Sequence, residues 1–390
     1  MNGNPGGWIL NVDGAEIYKG AEDRRLSNPL FNDHKLKLGT FCTNLSGGCT
    51  ISTADGIFDL NWPNTAALAR LADDMEFEAL VPVGRWKGFG GETNFNGNGF
   101  ESYTWAAAMG GMTRNSGVFS TSHITTVHPV MAAKQGMTID HISGGRFTLN
   151  VVCGWFGPEF EMFGAPLLEH DRRYDHAGEW LTVVKRLWTE EEEFDFEGEF
   201  FQLKGLICRP HPIQRPHPVV MSAGASDRGK RFAAEHADVA FTGHYGLKGD
   251  ELKAMVADYR KMAHDKYGRD LKIWTNAYIY QGETEKDAQA LWDHCVIEKG
   301  DQTAVDNLTQ TLGIEGRETP ARQLSHLKNH FIAGWGGYPI IGTKEQVVDG
   351  LQVIADAGFD GTLLSWPRYI EDMAEFKEVT YPLVQQSGLR

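Results

Sequence analysis

Apolar and polar side chains alternate most cleanly in the stretch SGGRFTLNVVCGW, where Phe147, Leu149 and Val151 fall on one face and Asn150 on the other. Gly144 and Gly145 open this strand as a reverse turn, and Gly154 with Trp155 closes it. The same reading predicts strands at 36–44, 79–84, 118–124, 146–153, 218–223, 238–243, 273–280 and 362–366. Between them apolar positions recur at helical spacing, for example over 65–75, 129–142, 171–188 and 344–357. Alternating strands and helices predict a parallel sheet with crossover helices, and eight strands is the number that closes a (β/α)8 TIM barrel. Residues 36–390 are therefore expected to form one barrel domain, with residues 1–35 as an N-terminal extension. An insertion near 283–338, charged and ending in Gly334-Trp335-Gly336-Gly337, is expected to supply helices and a mobile cover over the site.

Composition narrows the partners. The chain has 390 residues, 41% of them hydrophobic, and a net charge of −15 from 52 acidic against 37 basic residues. Such a field repels phosphate backbones and anionic lipid, so neither nucleic acid nor membrane is an expected partner. No apolar run approaches the roughly 20 residues needed to span a bilayer, and the first residues lack the pattern of a signal peptide. The expected location is the cytoplasm. Cys42, Cys49, Cys153, Cys208 and Cys295 are odd in number and scattered, with no zinc spacing, and are expected to stay reduced. The fourteen histidines contain no HExxH pattern, so no metal is expected.

In a parallel barrel the chemistry belongs at the carboxyl ends of the strands. The second strand ends at Val83 and Gly84 and runs into a loop, residues 85–102, rich in glycine and aromatic residues. Glycines there allow close approach to a planar ring, although a long flexible loop would look the same. The third strand presents Thr121, with His123 two residues on and pointing the same way. The fourth presents Asn150, which could converge with Thr121 on one uncharged polar pocket or simply bond to neighbouring backbone. Such a pocket is poorly equipped for hydrolysis. After the fifth strand Gly224, Ala225 and Ser226 open a helix, where free N–H groups and the helix dipole suit an anion, or Ser226 is an ordinary N-cap. Arg173 and Tyr174, in the sequence Asp171-Arg172-Arg173-Tyr174, form a second candidate phosphate clamp at another helix start, although paired arginines often only cover a helix surface. Two anion-ready helix starts, a glycine-lined aromatic loop and an uncharged pocket suggest a phosphorylated planar cofactor, and FMN fits.

At these residues the chain resembles the bacterial-luciferase-like flavin monooxygenases, most closely the branch with pyrimidine and dimethylsulfone monooxygenases. The resemblance runs from Leu36 onwards and rests on KGFGGETNF with FES (87–102), TIDHISGGRFTLNVVCGWFGPEFEMFG (138–164), EHDRRYDHAGEWL (169–181), an FxGxFFxL hairpin (196–203) and AGASDRG (223–229). It implies that Thr121 and Asn150 hold dioxygen beside the flavin. It also implies that Val83, Gly84, Asn150, Glu159, Arg173, Tyr174 and Ser226 contact FMN. The pattern has a lysine in place of Gly84 and a shorter loop before GFGG, which leaves Arg85 and Lys87 without assigned places. His123 and Cys153 also depart from it and are candidates to line the substrate pocket, with a packed, satisfied histidine as the alternative.

The resemblance further implies reduced FMN as a co-substrate, delivered by a separate NAD(P)H-dependent flavin reductase; the chain itself has no GxGxxG dinucleotide fingerprint. Oxygen would add to the flavin at N(5), with C(4a) as the other possibility, and attack an electrophilic carbon of a small-molecule substrate. A C–N, C–S or C–halogen bond would be cleaved. Relatives are commonly homo-oligomers. Three other readings are a deazaflavin-dependent hydride-transfer enzyme, a noncatalytic flavin-binding protein and a metal-free hydrolase. Substrate selectivity depends on which of Trp86, Phe89, Trp155, Trp335 and Trp366 line the cavity.

Overall fold

The computed structural model describes residues 28–224, 226–244, 246–313 and 321–390. Ala225 and residues 1–27 of the expected extension lie outside the described residues. In chain order the strands are β1 (Lys37–Phe41), β2 (Ala79–Val81), β3 (Gly117–His123), β4 (Phe147–Val152), β5 (Phe194–Glu197), β6 (Gln202–Leu206), β7 (Val219–Ser222), β8 (Val239–Phe241), β9 (Lys272–Gln281), β10 (Tyr338–Gly342) and β11 (Gly361–Ser365).

Eight of them close a parallel ring in the order β1, β2, β3, β4, β7, β8, β9, β11, with β11 returning to β1. These are the eight segments the alternation predicts. β5 and β6 form an antiparallel hairpin outside the ring, at the FxGxFFxL sequence. β10 is a strand the sequence reading missed. It pairs in parallel with β9 from Tyr338↔Ala277 to Gly342↔Gln281, beyond the Phe241↔Trp274 pairing where β8 stops.

The period of two sorts side chains into two layers. Leu38, Leu80, Val118, Phe147, Leu149, Val220 and Ile273 point outward into one core with the helices. Phe41, Val81, Phe119, Val219, Met221, Trp274 and Leu363 fill the barrel. Each fully buried large side chain is worth roughly 1.5–3 kcal/mol. Local signals set the helix ends. Asn61 accepts from the Asn64 N–H to start helix Trp62–Asp74, and Gly144, at φ 69°, ends helix Pro129–Ser143 in the left-handed conformation that glycine adopts cheaply. Within the insertion, helices Glu285–Trp292, Gln302–Thr311 and Ala321–Gly334 precede β10. No helix among the described residues is long and apolar enough to cross a membrane.

Candidate active site

Parallel pairing of β3 with β4 sets Thr121 directly opposite Asn150. Asn150 Nδ2 donates to Thr121 Oγ1 at 3.0 Å, and the Thr121 hydroxyl donates to the Pro82 carbonyl. Both residues are about 95% buried, and Asn150 Oδ1 is left with no partner. A buried acceptor without a donor costs about 1–3 kcal/mol, a cost that a bound ligand carrying an N–H or O–H would remove. The pair that the strand pattern brings together is thus in contact, with one acceptor still open.

Beside it, Val83 is held by Asn44 at the end of the β1 region. Asn44 Oδ1 accepts from the Val83 N–H and its Nδ2 donates to the Val83 carbonyl, both at 2.9 Å, while Nδ2 also reaches the Phe100 carbonyl. One amide side chain therefore pins both ends of the glycine-rich loop. Sequence reasoning missed Asn44, although it ends its strand in a polar group just as Asn150 does. Gly84 follows, and a Cβ there would lie 3.0 Å from the Thr121 carbonyl, so a side chain would crowd β3.

Glu159 lies in the short helix Gly157–Met162 and is fully buried. Its Oε1 accepts from the Trp86 N–H (2.6 Å), the Lys87 N–H (3.3 Å) and Arg85 Nη1 (3.4 Å). Its Oε2 lies 3.4 Å from His123 Nδ1, an ion-pair distance without the alignment of a good hydrogen bond. Burial pushes this carboxyl up, but the His123 contact, the Arg85 charge and the Trp86 N–H together hold it below the usual range. Arg85 is itself buried and lies over the rings of Phe89, Trp155 and Phe156 at 4.9, 5.0 and 5.2 Å. The contacts of Glu159 anchor the loop after β2.

Arg173, Tyr174 and Ser226 gather from two helix starts. Ser226 caps helix Asp227–His236, accepting from the Gly229 N–H at 3.0 Å, and its hydroxyl lies 3.4 Å from that of Tyr174. A Cβ on Gly229 would lie 2.6 Å from the Tyr174 hydroxyl, so this close approach requires glycine. Arg173 Nη1 donates to the Gly154 carbonyl at 2.6 Å, and its Nε has no partner. The Ser226 N-cap and the Tyr174 hydroxyl are thus parts of one structure.

Among the candidate pocket aromatics, Phe89, Trp155 and Trp335 share one cluster with Phe95 and Phe156, while Trp86 is 42% exposed. Trp366 instead packs in the outer core against Tyr369 and Phe376, so it does not belong with them. Cys153 is no ready nucleophile, since burial pushes its thiol up to about 12. His330 is a further residue absent from the sequence reading. It bonds Tyr278 at 2.7 Å and His326 at 3.0 Å, and burial beside His326 and His244 lowers it to about 4. Among the described residues no group of three or more His, Cys, Asp or Glu is placed to hold a metal ion. A cavity of about 890 Å³ opens on the opposite, amino-terminal face among Lys37, Asp238, Arg260, Arg269 and Lys272. None of the site residues lines it, and that end of a barrel is not where chemistry resides.

A family model described as luciferase-like monooxygenase matches residues 36–361. The chain is 30% identical over 357 residues to an FMNH2-dependent dimethylsulfone monooxygenase of Pseudomonas putida, covering 90% of this chain and 96% of that one. It is 31% identical over 356 residues to a pyrimidine monooxygenase of Cronobacter turicensis, covering 90% and 93%. The crystal structure of a long-chain alkane monooxygenase superposes with a TM-score of 0.77 at 23% identity, over 92% of each chain, which shows the shared fold.

Proposed function

The chain belongs to the luciferase-like monooxygenase family, and from that premise we propose that it is a two-component FMN-dependent monooxygenase of the cytoplasm. In this reading a separate NAD(P)H-dependent reductase supplies reduced FMN, and the protein works as a homo-oligomer. One oxygen atom enters a small organic molecule and a C–N, C–S or C–halogen bond breaks. The observation that carries the reading is the buried Thr121–Asn150 pair with its open acceptor at the barrel mouth.

The residues fit the cofactor. Asn150 Oδ1 is an orphaned acceptor for a ring N–H, and Arg173 Nε an orphaned donor for an anion. The N-terminus of helix Asp227–His236, with the Ser226 and Tyr174 hydroxyls, would take the phosphate. Val83 and Gly84 would lie against the ring, with glycine at 84 because a Cβ there would press on the Thr121 carbonyl. When bound, reduced FMN supplies the electrons that activate dioxygen at its N(5) edge.

Around it, Asn150, oriented by Thr121, would hold the oxygen by a hydrogen bond that strengthens as negative charge develops. The Thr121 proton is engaged by Pro82, so the second N–H of Asn150 is the donor ready for that oxygen. Phe89, Phe95, Trp155, Phe156 and Trp335 exclude water, which makes each of these hydrogen bonds worth more. Glu159 and Arg85 keep the loop that carries part of this aromatic wall in place. The test is oxygen consumption with reduced FMN in a screen of sulfones, cyclic amides and haloarenes. Substrate-dependent uptake with product formation is expected, and FMN binding without turnover on any of them would favour a noncatalytic flavin protein.

A further inference from the structure

Monooxygenation moves protons as well as electrons. Reduced FMN gives up two electrons and two protons, one oxygen atom enters the substrate, and the other leaves as water after gaining two protons. The residues beside the oxygen pocket are poor carriers. The Thr121 hydroxyl is committed to Pro82, and an amide such as Asn150 is not an acid. Glu159 is held ionised among buried cationic and N–H partners, and burial pushes the Tyr103 hydroxyl up.

His123 is different. It follows Thr121 by two residues on the inward face of β3 and is buried. Its Nδ1 faces Glu159 Oε2 at 3.4 Å, which leaves Nε2 as the exchangeable nitrogen. Imidazole is the side chain suited to exchanging protons near neutral pH. Next to it lies a cavity of about 20 Å³, lined by Gly84, Glu101, Ser102, Tyr103, Thr121 and His123. A single water needs roughly 10–15 Å³ and several polar partners, and this cavity offers both. Glu101 caps helix Ser102–Met112 through both carboxylate oxygens and is half-buried, so it connects the cavity to solvent.

We propose that His123 is the proton carrier of the site, oriented by Glu159 and recharged from solvent through a water in the cavity beside Glu101. The inference rests on the flavin monooxygenase reading. In the step itself the Nε2–H bond of the imidazolium breaks and an O–H bond forms on the departing oxygen. The imidazolium becomes neutral, the oxygen loses its negative charge, and no electrons pass through the residue. The cavity water then relays a proton from solvent to Nε2, taking one up from solvent as it gives one, so that no hydroxide is left. The charged and titratable groups facing His123 are Glu159, Arg85, Glu101 and Tyr103, from the helix after β4, the loop after β2 and the start of the next helix.

The experiment uses reduced FMN and dioxygen, mixed with the full chain under single-turnover conditions, and follows the return of oxidised FMN absorbance between about pH 5 and 8. The parent is expected to show a pH-dependent rate and a solvent deuterium effect. His123→Gln should bind reduced FMN with parent affinity but react on the order of 10²-fold more slowly, with a flat pH profile. His123→Gly should regain rate when imidazole is added. A His123→Gln protein with the parent rate and pH profile overturns the proposal. If that variant does not fold, a parent rate that is flat in pH and insensitive to deuterium overturns it equally. Failure of the parent to bind reduced FMN overturns the flavin reading itself, and this inference with it.

Discussion

Replacing Glu159 with glutamine tests whether a single buried carboxylate organises the mouth of the barrel. The amide oxygen of glutamine can still accept from the Trp86 and Lys87 N–H groups, now without charge assistance. Its NH2 group takes the place of Oε2 and meets His123, while Arg85, 2% exposed at its side chain, loses its counter-charge. Breaking a buried ion pair from one side costs about 3–5 kcal/mol, and the retained backbone contacts place the expected loss near the lower end, about 3 kcal/mol. Adding Arg85→Met removes the stranded charge and leaves a flexible apolar chain under Phe89, Trp155 and Phe156. The double variant should therefore recover about 2 kcal/mol of that loss. The pH dependence has a fixed sign. A carboxyl held below its ordinary value contributes stability that is full above the unfolded value of about 4.3 and fades as pH falls through the lower folded one. Urea unfolding of the parent and both variants, at about pH 7 and again below about pH 4, measures each part, and the deficit of Glu159→Gln should shrink in acid. A deficit under about 1 kcal/mol, or a double variant no more stable than Glu159→Gln, would refute the reasoning.

Three further outcomes are expected. Ser226→Asp keeps a good N-cap, so stability should stay near that of the parent while FMN affinity, measured by titration, drops at least about tenfold from carboxylate–phosphate repulsion; equal affinity would mean the phosphate lies elsewhere. Thr121→Ala should keep near-parent FMN binding, Asn150→Ala should lose at most about tenfold with its one hydrogen bond to the ring, and both should divert reduced flavin to hydrogen peroxide, read by comparing product with peroxide per flavin. Unfolding of either would favour a structural role. Gly154→Ala places a Cβ 2.2 Å from the Phe160 ring at φ 84°, and should cost about 1–3 kcal/mol in thermal or urea unfolding while weakening FMN binding, because the Gly154 carbonyl holds Arg173.

How legible these features are in the sequence depends on the range of the forces involved. The barrel strands announce themselves because strand alternation is a local signal, and Thr121, His123 and Asn150 share the inward face by the period of two alone. β10 does not, since Tyr338-Pro339-Ile340-Ile341-Gly342 is short, contains proline and sits next to a glycine loop, and its pairing with β9 is what makes it a strand. The Arg85–Glu159 pair joins residues 74 positions apart, and no periodicity reports such a contact. Ser226 is readable as a cap because capping acts over three residues, whereas its meeting with Tyr174, 52 positions away, follows only from the packing of two helices. Trp366 misled for the complementary reason. A tryptophan at the end of a strand can turn towards the mouth or the helices, and the neighbouring Tyr369 and Phe376 decide for the helices.

The pairing of β10 with β9 has an evolutionary consequence. The segment between Gln281 and Tyr338 is held at its far end by main-chain pairing of β10 with β9, and in between by Asp301 and Asn307, whose side chains bond Thr93 and Phe89 of the loop after β2. It can change composition and length as a cassette, provided it re-enters in the register Tyr338↔Ala277 and keeps partners for Thr93 and the Phe89 carbonyl. Sequence change could then concentrate in this segment while the barrel strands stay constant, and a graft from a relative that keeps these contacts should fold on this barrel without redesign of its strands.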